Sequence, residues 1–409
     1  MLKKNAETMK SKISFLLFVA LLSFFSVSCS KDDDPVIILP HGEQQQSLDL
    51  PMGEAYILDS SYQDNTNLRV YNYAYPSVDP YGNPIMLSAT ISMCDDVSRE
   101  SPANGLILYN HQTIYRKDQC PSRGGLSLQS MAKGVGLITI SPDYYGFGIT
   151  EHHHQAYCIS LCNARASIDA LFAAKQLLTE LGYSWEGNLF NVGFSQGAQT
   201  SVAVLRLAAE HYPDLDITYT FAGAGTYDLP LTYRHFIEAN SAGMPCTVVS
   251  VLLAYNEFKG LGFSNDDMFL EPVLGHIDDW ILNKCYSRQE IDAFIGPLSI
   301  SEYLTSAMLD TSSSSSRIFM AAFDSDNLCH GWSPRGNERI MLFHSSRDVT
   351  VPVTNTQRLY DFLIANGVQD IDLQIRDIDG TDSNPAHQTS ALMFGLLALQ
   401  KVKCILGIE

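Results

Sequence analysis

The 409-residue chain predicts an α/β fold: a mostly parallel, doubly wound sheet, preceded by an antiparallel meander and interrupted late by a large helical insertion. Three observations carry this. Short unbroken apolar runs such as GLILYN (105–110) alternate with longer stretches of helical spacing. A strand buried on both faces reads as such a run, and strands that alternate with helices pair in parallel. Before them, LRVYNYAY and IMLSATISM alternate in polarity around the turn-rich PSVDPYGNP, as a hairpin does. Finally, from Asp228 to Asn337 the strand–helix rhythm stops.

The N-terminal residues read as a targeting segment rather than fold. Lys3, Lys4, Lys10 and Lys12 precede an apolar run from Ile13 to Val27, which ends in SVSC at Cys29. A basic start, a short apolar stretch and small residues before a cysteine are similar to a bacterial lipoprotein signal, in which Cys29 is the lipidated first residue of the mature protein. Residues 1–28 are thus expected to be the signal peptide. Residues 29–50, with the acidic KDDD and the Gln-rich EQQQS, are expected to be a tether. An acidic run directly after such a cysteine resembles the surface-export signal of some Gram-negative lipoproteins. The acidic run reads equally as a solvated tether, so the expected location is outside the cytoplasm, lipid-anchored to the outer membrane, with either membrane face open to it. Beyond the leader, no apolar stretch is expected to approach the length of a membrane span.

The elements follow in order. GVGLITISPDYYGFG (134–148) is a strand running into a Pro/Gly loop. NARASIDALFAAKQLLTEL (163–181) has helical spacing. NLFNVGFS is a strand and QGAQTSVAVLRLAAEHY a helix; DITYTFAGAG is a strand. RIMLFHSS (339–346), TNTQRLYDFLIANG, IDLQIRDID (371–379) and HQTSALMFGLLALQKVK then alternate strand and helix. These divide the chain into core residues 51–227, an inserted lid or cap at 228–337, and core residues 338–409. Within the insertion, the Ser312–Ser316 run is expected to be a loop.

Charge and cysteine usage exclude some functions. The net charge of −19 gives no basic surface for nucleic acid or for an anionic membrane, so membrane contact is expected only through the lipid anchor. EHHHQAYCISLC (151–162) offers His152, His153, His154, Cys158 and Cys162 as metal ligands. Three consecutive histidines cannot all face one point, and no second cluster follows, so no metal is expected there. Buried thiols or a disulfide, with one histidine at a cleft, fit the stretch better.

The chemistry centres on NVGFSQGAQ (191–199). A Gly-x-Ser-x-Gly pattern arises by chance roughly 0.1 times in about 400 residues, so Ser195 needs partners. It sits where a strand of a doubly wound sheet ends, which is where such sheets hold ligands. Gly193 and Gly197 suit a sharp elbow in which backbones approach closely. The elbow also aims the backbone N–H of Gln196 at a developing oxyanion. A serine hydroxyl needs a base, and the base needs an acid to hold it. For this elbow the expected chain order is Ser, acid, His. Asp348 follows strand RIMLFHSS, and the one histidine after it is His387, in the last loop. Asp379 and Asp382 compete as the acid, but they share the loop of His387. His344 competes as the base, but it lies inside its strand and reads as a core or near-site residue. The second oxyanion donor is expected in the loop after GLILYN, from Thr113 first and Gln112 second, with His111 orienting the loop.

These motifs together resemble the α/β-hydrolase fold and, within it, the secretory lipase family. The resemblance rests on YNHQT (109–113), PDYYGFG (142–148) and GFSQG (193–197) and covers roughly residues 65–230 and 338–400. Gln112 and Phe194 stand where the family pattern has Gly and Tyr. The resemblance implies ester hydrolysis, with a helical lid between the sixth strand and the acid and a small-molecule, lipid or glycan ester as substrate; the chemistry calls for no cofactor. A serine peptidase of the same fold is the alternative, with Asp266, Asp267, Asp278 and Asp279 holding a substrate amine. A non-catalytic surface lipoprotein that binds nutrients is the other, though a pure binder has no use for a strained elbow.

Overall fold

A computed structural model describes residues 54–63, 67–125, 132, 134–380 and 385–408. The expected signal peptide, Cys29, the tether and Asp382 lie outside the described residues. Among those described, nine strands form one sheet in the order β1-β2-β3-β5-β4-β6-β7-β8-β9. They are β1 (Tyr56–Gln63), β2 (Leu68–Val78), β3 (Pro84–Cys94), β4 (Gly105–Asn110), β5 (Leu137–Pro142), β6 (Leu189–Phe194), β7 (Tyr219–Gly223), β8 (Arg339–Ser345) and β9 (Asp370–Arg376). β1, β2 and β3 form an antiparallel meander, and β3 joins β5 antiparallel. From β5 to β9 every pairing is parallel. This is the α/β-hydrolase fold.

Helices of eight or more residues are numbered α1 (Ser160–Glu180), α2 (Gln196–His211), α3 (Leu229–Ala239), α4 (Pro245–Phe258), α5 (Arg288–Ile295), α6 (Ser314–Ser325), α7 (Thr354–Ala365) and α8 (Ala386–Leu406). The two-residue period of the strands sorts their side chains into two cores. In β4, Leu106 and Leu108 join the larger cluster with α1 and α2, while Ile107 and Tyr109 join the smaller one beneath α8. Ile340 and Leu342 of β8 take the first side, and Met341 and Phe343 the second. Buried tyrosines tie the meander to α1: Tyr73 and Tyr75 donate to the carbonyls of Ala170 and Ala166 at 2.8 and 3.0 Å.

Because β4 sits between β5 and β6, the connections leave it in opposite directions and open a crevice at the carboxyl ends of the strands. The ends of β4, β6 and β8 and the start of α8 meet there.

Three features differ from the sequence expectation. β1 was not legible, because most of this edge strand is exposed and it has no apolar alternation to read. The serine run is a loop only in part: Ser312 and Ser313 precede α6, Ser313 caps it by accepting from the Ser316 N–H at 3.0 Å, and Ser316 is buried in the first turn. Serine favours caps because its hydroxyl satisfies an orphan N–H, so composition alone misread it. Finally, α8, at 21 residues, is long and apolar enough to cross a membrane, with an 18-residue stretch of mean hydropathy 1.4. It instead packs on β6, β7 and β8, and burial of one face against the sheet accounts for part of that apolarity.

The inserted segment is pinned to the core by a buried lysine. Lys284 donates to the carbonyls of Gly146 at 2.7 Å and Glu151 at 3.0 Å, and also to that of His153. Its ammonium lies 5.3 Å from the centre of the Phe147 ring. Lys284→Met fills the space but strands three carbonyls. It is expected to cost about 2–4 kcal/mol of stability, read as a lower denaturation midpoint at unchanged m-value.

Candidate active site

Ser195 follows β6 directly and is the N-cap of α2, with φ +57° and ψ −122°. A non-glycine residue holds such a backbone only when its surroundings impose it. Its N–H donates to the Gly223 carbonyl at 2.8 Å, anchoring the elbow to β7. The flanking glycines are required by close approach. A Cβ on Gly193 would lie 2.1 Å from the Gly197 carbonyl oxygen, and a Cβ on Gly197 would lie 2.0 Å from that of Asn110. Both obstacles are backbone and cannot swing aside. Gly197→Ala is therefore expected to displace the elbow or the loop after β4. It should cost a few kcal/mol in stability, about 3, with loss of hydrolysis, checked by denaturation and assay of the purified variant.

Three side chains from three chain segments form a hydrogen-bonded row. His387 Nε2 lies 2.9 Å from Ser195 Oγ, and His387 Nδ1 lies 2.6 Å from Asp348 Oδ2. All three residues are buried. A carboxylate only accepts, so Nδ1 carries the proton and the Nε2 lone pair faces the serine hydroxyl. The ring also packs against Phe194, with centroids 5.1 Å apart.

Asp348 is held on every side. Its Oδ1 accepts from the backbone N–H groups of Thr350 and Val351 at 2.8 and 2.9 Å. His344 Nε2 is 3.3 Å from Oδ2 and 3.0 Å from the Val351 carbonyl. Both of those partners only accept, so this nitrogen carries a proton, and in the neutral ring Thr356 donates to Nδ1 at 2.7 Å. Burial opposes a charge on Asp348. The charge that His387 carries once protonated, and hydrogen bonds from His344 and His387, outweigh it and hold the carboxyl well below the usual carboxylate range. The competing acid Asp379 is exposed and pairs with Arg347 at 3.1 Å.

The loop after β4 packs over the elbow, as the Asn110 contact with Gly197 requires. His111 Nδ1 lies 2.7 Å from the Gln112 carbonyl and Nε2 lies 3.2 Å from that of Asp143. Its ring packs tilted against Tyr144, with centroids 4.1 Å apart, and burial lowers its pKa. His111 thus joins the β4 loop to the PDYYGFG loop. The Thr113 hydroxyl meets the Tyr157 hydroxyl at 3.1 Å.

A cavity partly open to solvent begins at Ser195 and Gln196. Leu229, Tyr233 and Phe236 of α3, Val248 and Val251 of α4, and Phe323 of α6 form much of its wall. The histidine–cysteine stretch does not converge. His153 stacks on Tyr145, His154 pairs with Glu257, and Cys158 and Cys162 are separate free thiols whose pKa burial pushes up to about 12. Among the described residues, no group of three or more His, Cys, Asp or Glu could hold a metal ion.

Sequence reasoning missed the amides of Thr350 and Val351 and the contact of His344 with the acid. The four-residue spacing from His344 to Asp348 was a signal only in hindsight, since a strand end and a turn separate them.

A family model described as secretory lipase matches residues 127–394, more than half of the chain. The chain belongs to the secretory lipase family. It is a carboxylic ester hydrolase. Solved structures agree on the fold. The rice cell wall degrading esterase LipA from Xanthomonas oryzae superposes with a TM-score of 0.73 at 19% identity, over 85% of this chain and 96% of that one. A putative hydrolase from Legionella pneumophila gives 0.73 at 19% identity, over 86% and 97%. Candida antarctica lipase A in its closed state gives 0.63 at 15% identity, over 86% and 82%. No curated protein matched the chain in sequence.

Proposed function

We propose that this family member is a serine esterase that works through Ser195, His387 and Asp348 and an acyl-enzyme. The observation that carries it is the unbroken row from Ser195 Oγ to His387 to Asp348 at 2.9 and 2.6 Å. Ser195 attacks the ester carbonyl as His387 Nε2 takes its proton. The charge of Asp348 stabilises the imidazolium that forms. The Gln196 N–H at the start of α2, with the Thr113 or Gln112 N–H, receives the oxyanion. His387 then protonates the leaving alcohol, and water activated by the same nitrogen frees the acid.

Residues 228–337 act as the cap, and their apolar wall takes the acyl group. The acidic groups that a peptidase would use for a substrate amine do not support that alternative. Asp266, Asp278 and Asp279 are exposed, and Asp267 accepts from the Ser264 N–H and hydroxyl at a helix start. The enzyme is exported and carried on a lipid at Cys29.

Hydrolysis of nitrophenyl butyrate, with aminoacyl nitroanilides as the competing substrates, tests the assignment. Ester turnover that disappears in Ser195→Ala is expected. Turnover of anilides alone would replace the esterase with a peptidase, and ester turnover retained in the variant would remove Ser195 from the chemistry.

A further inference from the structure

Strand β8 carries a histidine where its period calls for hydrocarbon. Ile340 and Leu342 pack in the larger core cluster, and His344 comes two residues later on the same side of the strand. It is fully buried. A polar ring there costs free energy unless its nitrogens are paired. Both are: Nδ1 lies 2.7 Å from the Thr356 hydroxyl, and Nε2 lies 3.0 Å from the Val351 carbonyl and 3.3 Å from Asp348 Oδ2. Pairing removes the cost without explaining the choice, since apolar groups of the same shape can replace such a pair at little loss of stability.

The position of Asp348 supplies an explanation. The N–H groups of Thr350 and Val351 hold its Oδ1 only. Oδ2 meets two rings, His387 at 2.6 Å and His344 at 3.3 Å. In the proposed mechanism His387 gains and loses a proton in each turnover, whereas His344 takes no part in the proton transfer. His344 therefore keeps a donor on Oδ2 throughout. A histidine N–H does this without the permanent charge of a lysine or arginine, which would compete for the negative charge that stabilises the imidazolium of His387. The same nitrogen meets the carbonyl of Val351, whose N–H goes to Oδ1, so one ring fixes the turn after β8 at two points.

We infer that His344 is a positioning residue of the esterase: it is the second donor on Asp348 Oδ2 and holds that oxygen toward His387. Thr356 acts one step further out, because its hydroxyl donates to Nδ1 and leaves the ring proton on Nε2. This rests on the triad proposed above. His344 touches neither substrate nor the reacting atoms, so its effect runs through the carboxylate alone. A small misplacement of a catalytic group lowers the rate of the chemical step more than it weakens substrate binding.

The test measures kcat and KM on nitrophenyl butyrate for His344→Phe, which removes the donor, and His344→Gln, which keeps an N–H. His344→Phe is expected to lower kcat by about 10- to 100-fold with KM little changed, and His344→Gln to recover most of the loss. A double-variant cycle with Asp348→Asn, read as the rate at which a fluorophosphonate labels Ser195, separates positioning from bulk structure. The His344→Phe effect is expected to vanish once Asp348 is asparagine, whereas a merely structural role would cost the same in both backgrounds. The downfield proton resonance of His387 Nδ1–H is expected to shift in His344→Phe and to return in His344→Gln. If His344→Phe does not fold, Thr356→Val, which keeps the shape, carries the cycle, with a severalfold loss expected that also vanishes beside Asp348→Asn. An unchanged kcat in the folded variant, or equal losses in the two backgrounds, would overturn the inference and leave the esterase intact. Ester turnover retained in Ser195→Ala would instead fail the triad, and the inference with it.

Discussion

Replacing Ser195 with alanine is expected to lower kcat on a nitrophenyl ester by roughly 10⁴–10⁶, with KM little changed. His387→Ala is expected to cost almost as much, and the double variant hardly more than either. The reason lies in the geometry. Ser195 Oγ is 2.9 Å from His387 Nε2, so in the proposed mechanism neither group does useful chemistry without the other. Activity that remains in each variant comes from the oxyanion donors and from binding, which neither substitution removes. Steady-state kinetics on the three variants decide the matter, together with stoichiometric labelling by a fluorophosphonate in the unmodified enzyme alone. Losses that simply add would mean that the two residues do not act as a unit.

Asp348→Asn is expected to lower kcat by about 10⁴ and also to change the response to acid. The carboxylate that accepts from His387 Nδ1 becomes an amide, which can present N–H to the ring instead. The ring then takes the other tautomer and turns an N–H toward Ser195, where a lone pair is needed. The acid response follows from the lowered pKa of Asp348 in the folded protein. A depressed carboxyl stabilises the fold fully above its unfolded pKa, about 3.9, and that contribution is lost as pH falls below it toward the folded value. The variant lacks the contribution near neutrality, so its stability declines less between about pH 5 and about pH 2. Denaturant midpoints across that window check it. A decline as steep as in the unmodified protein would place the acid sensitivity in other carboxylates.

Much of the site was legible because its residues sit at strand ends. The glycines of GFSQG mark two close backbone contacts, and the structure puts a carbonyl oxygen about 2 Å from each absent Cβ. A single histidine after Asp348 left one candidate base, and that ring lies between Asp348 and Ser195. His344 could be recognised as buried in its strand, but its contact with the carboxylate depends on how the turn after β8 folds back. β1 and the start of α6 failed for local reasons. An exposed edge strand has no apolar alternation, and a serine run has the composition of a loop whether or not one serine caps a helix.

The chain alone determined the strand–helix order, the elbow and the identity of the nucleophile, base and acid candidates. Those depend on residue type and on short-range backbone geometry, which a linear pattern records. Only the tertiary structure decided which acid meets the histidine, since Asp379 was drawn off by Arg347 at the surface. It alone decided that α3, α4 and α6 wall the cavity. Those outcomes depend on contacts between residues more than 100 positions apart, such as Ser195 and His387, and no local periodicity encodes them.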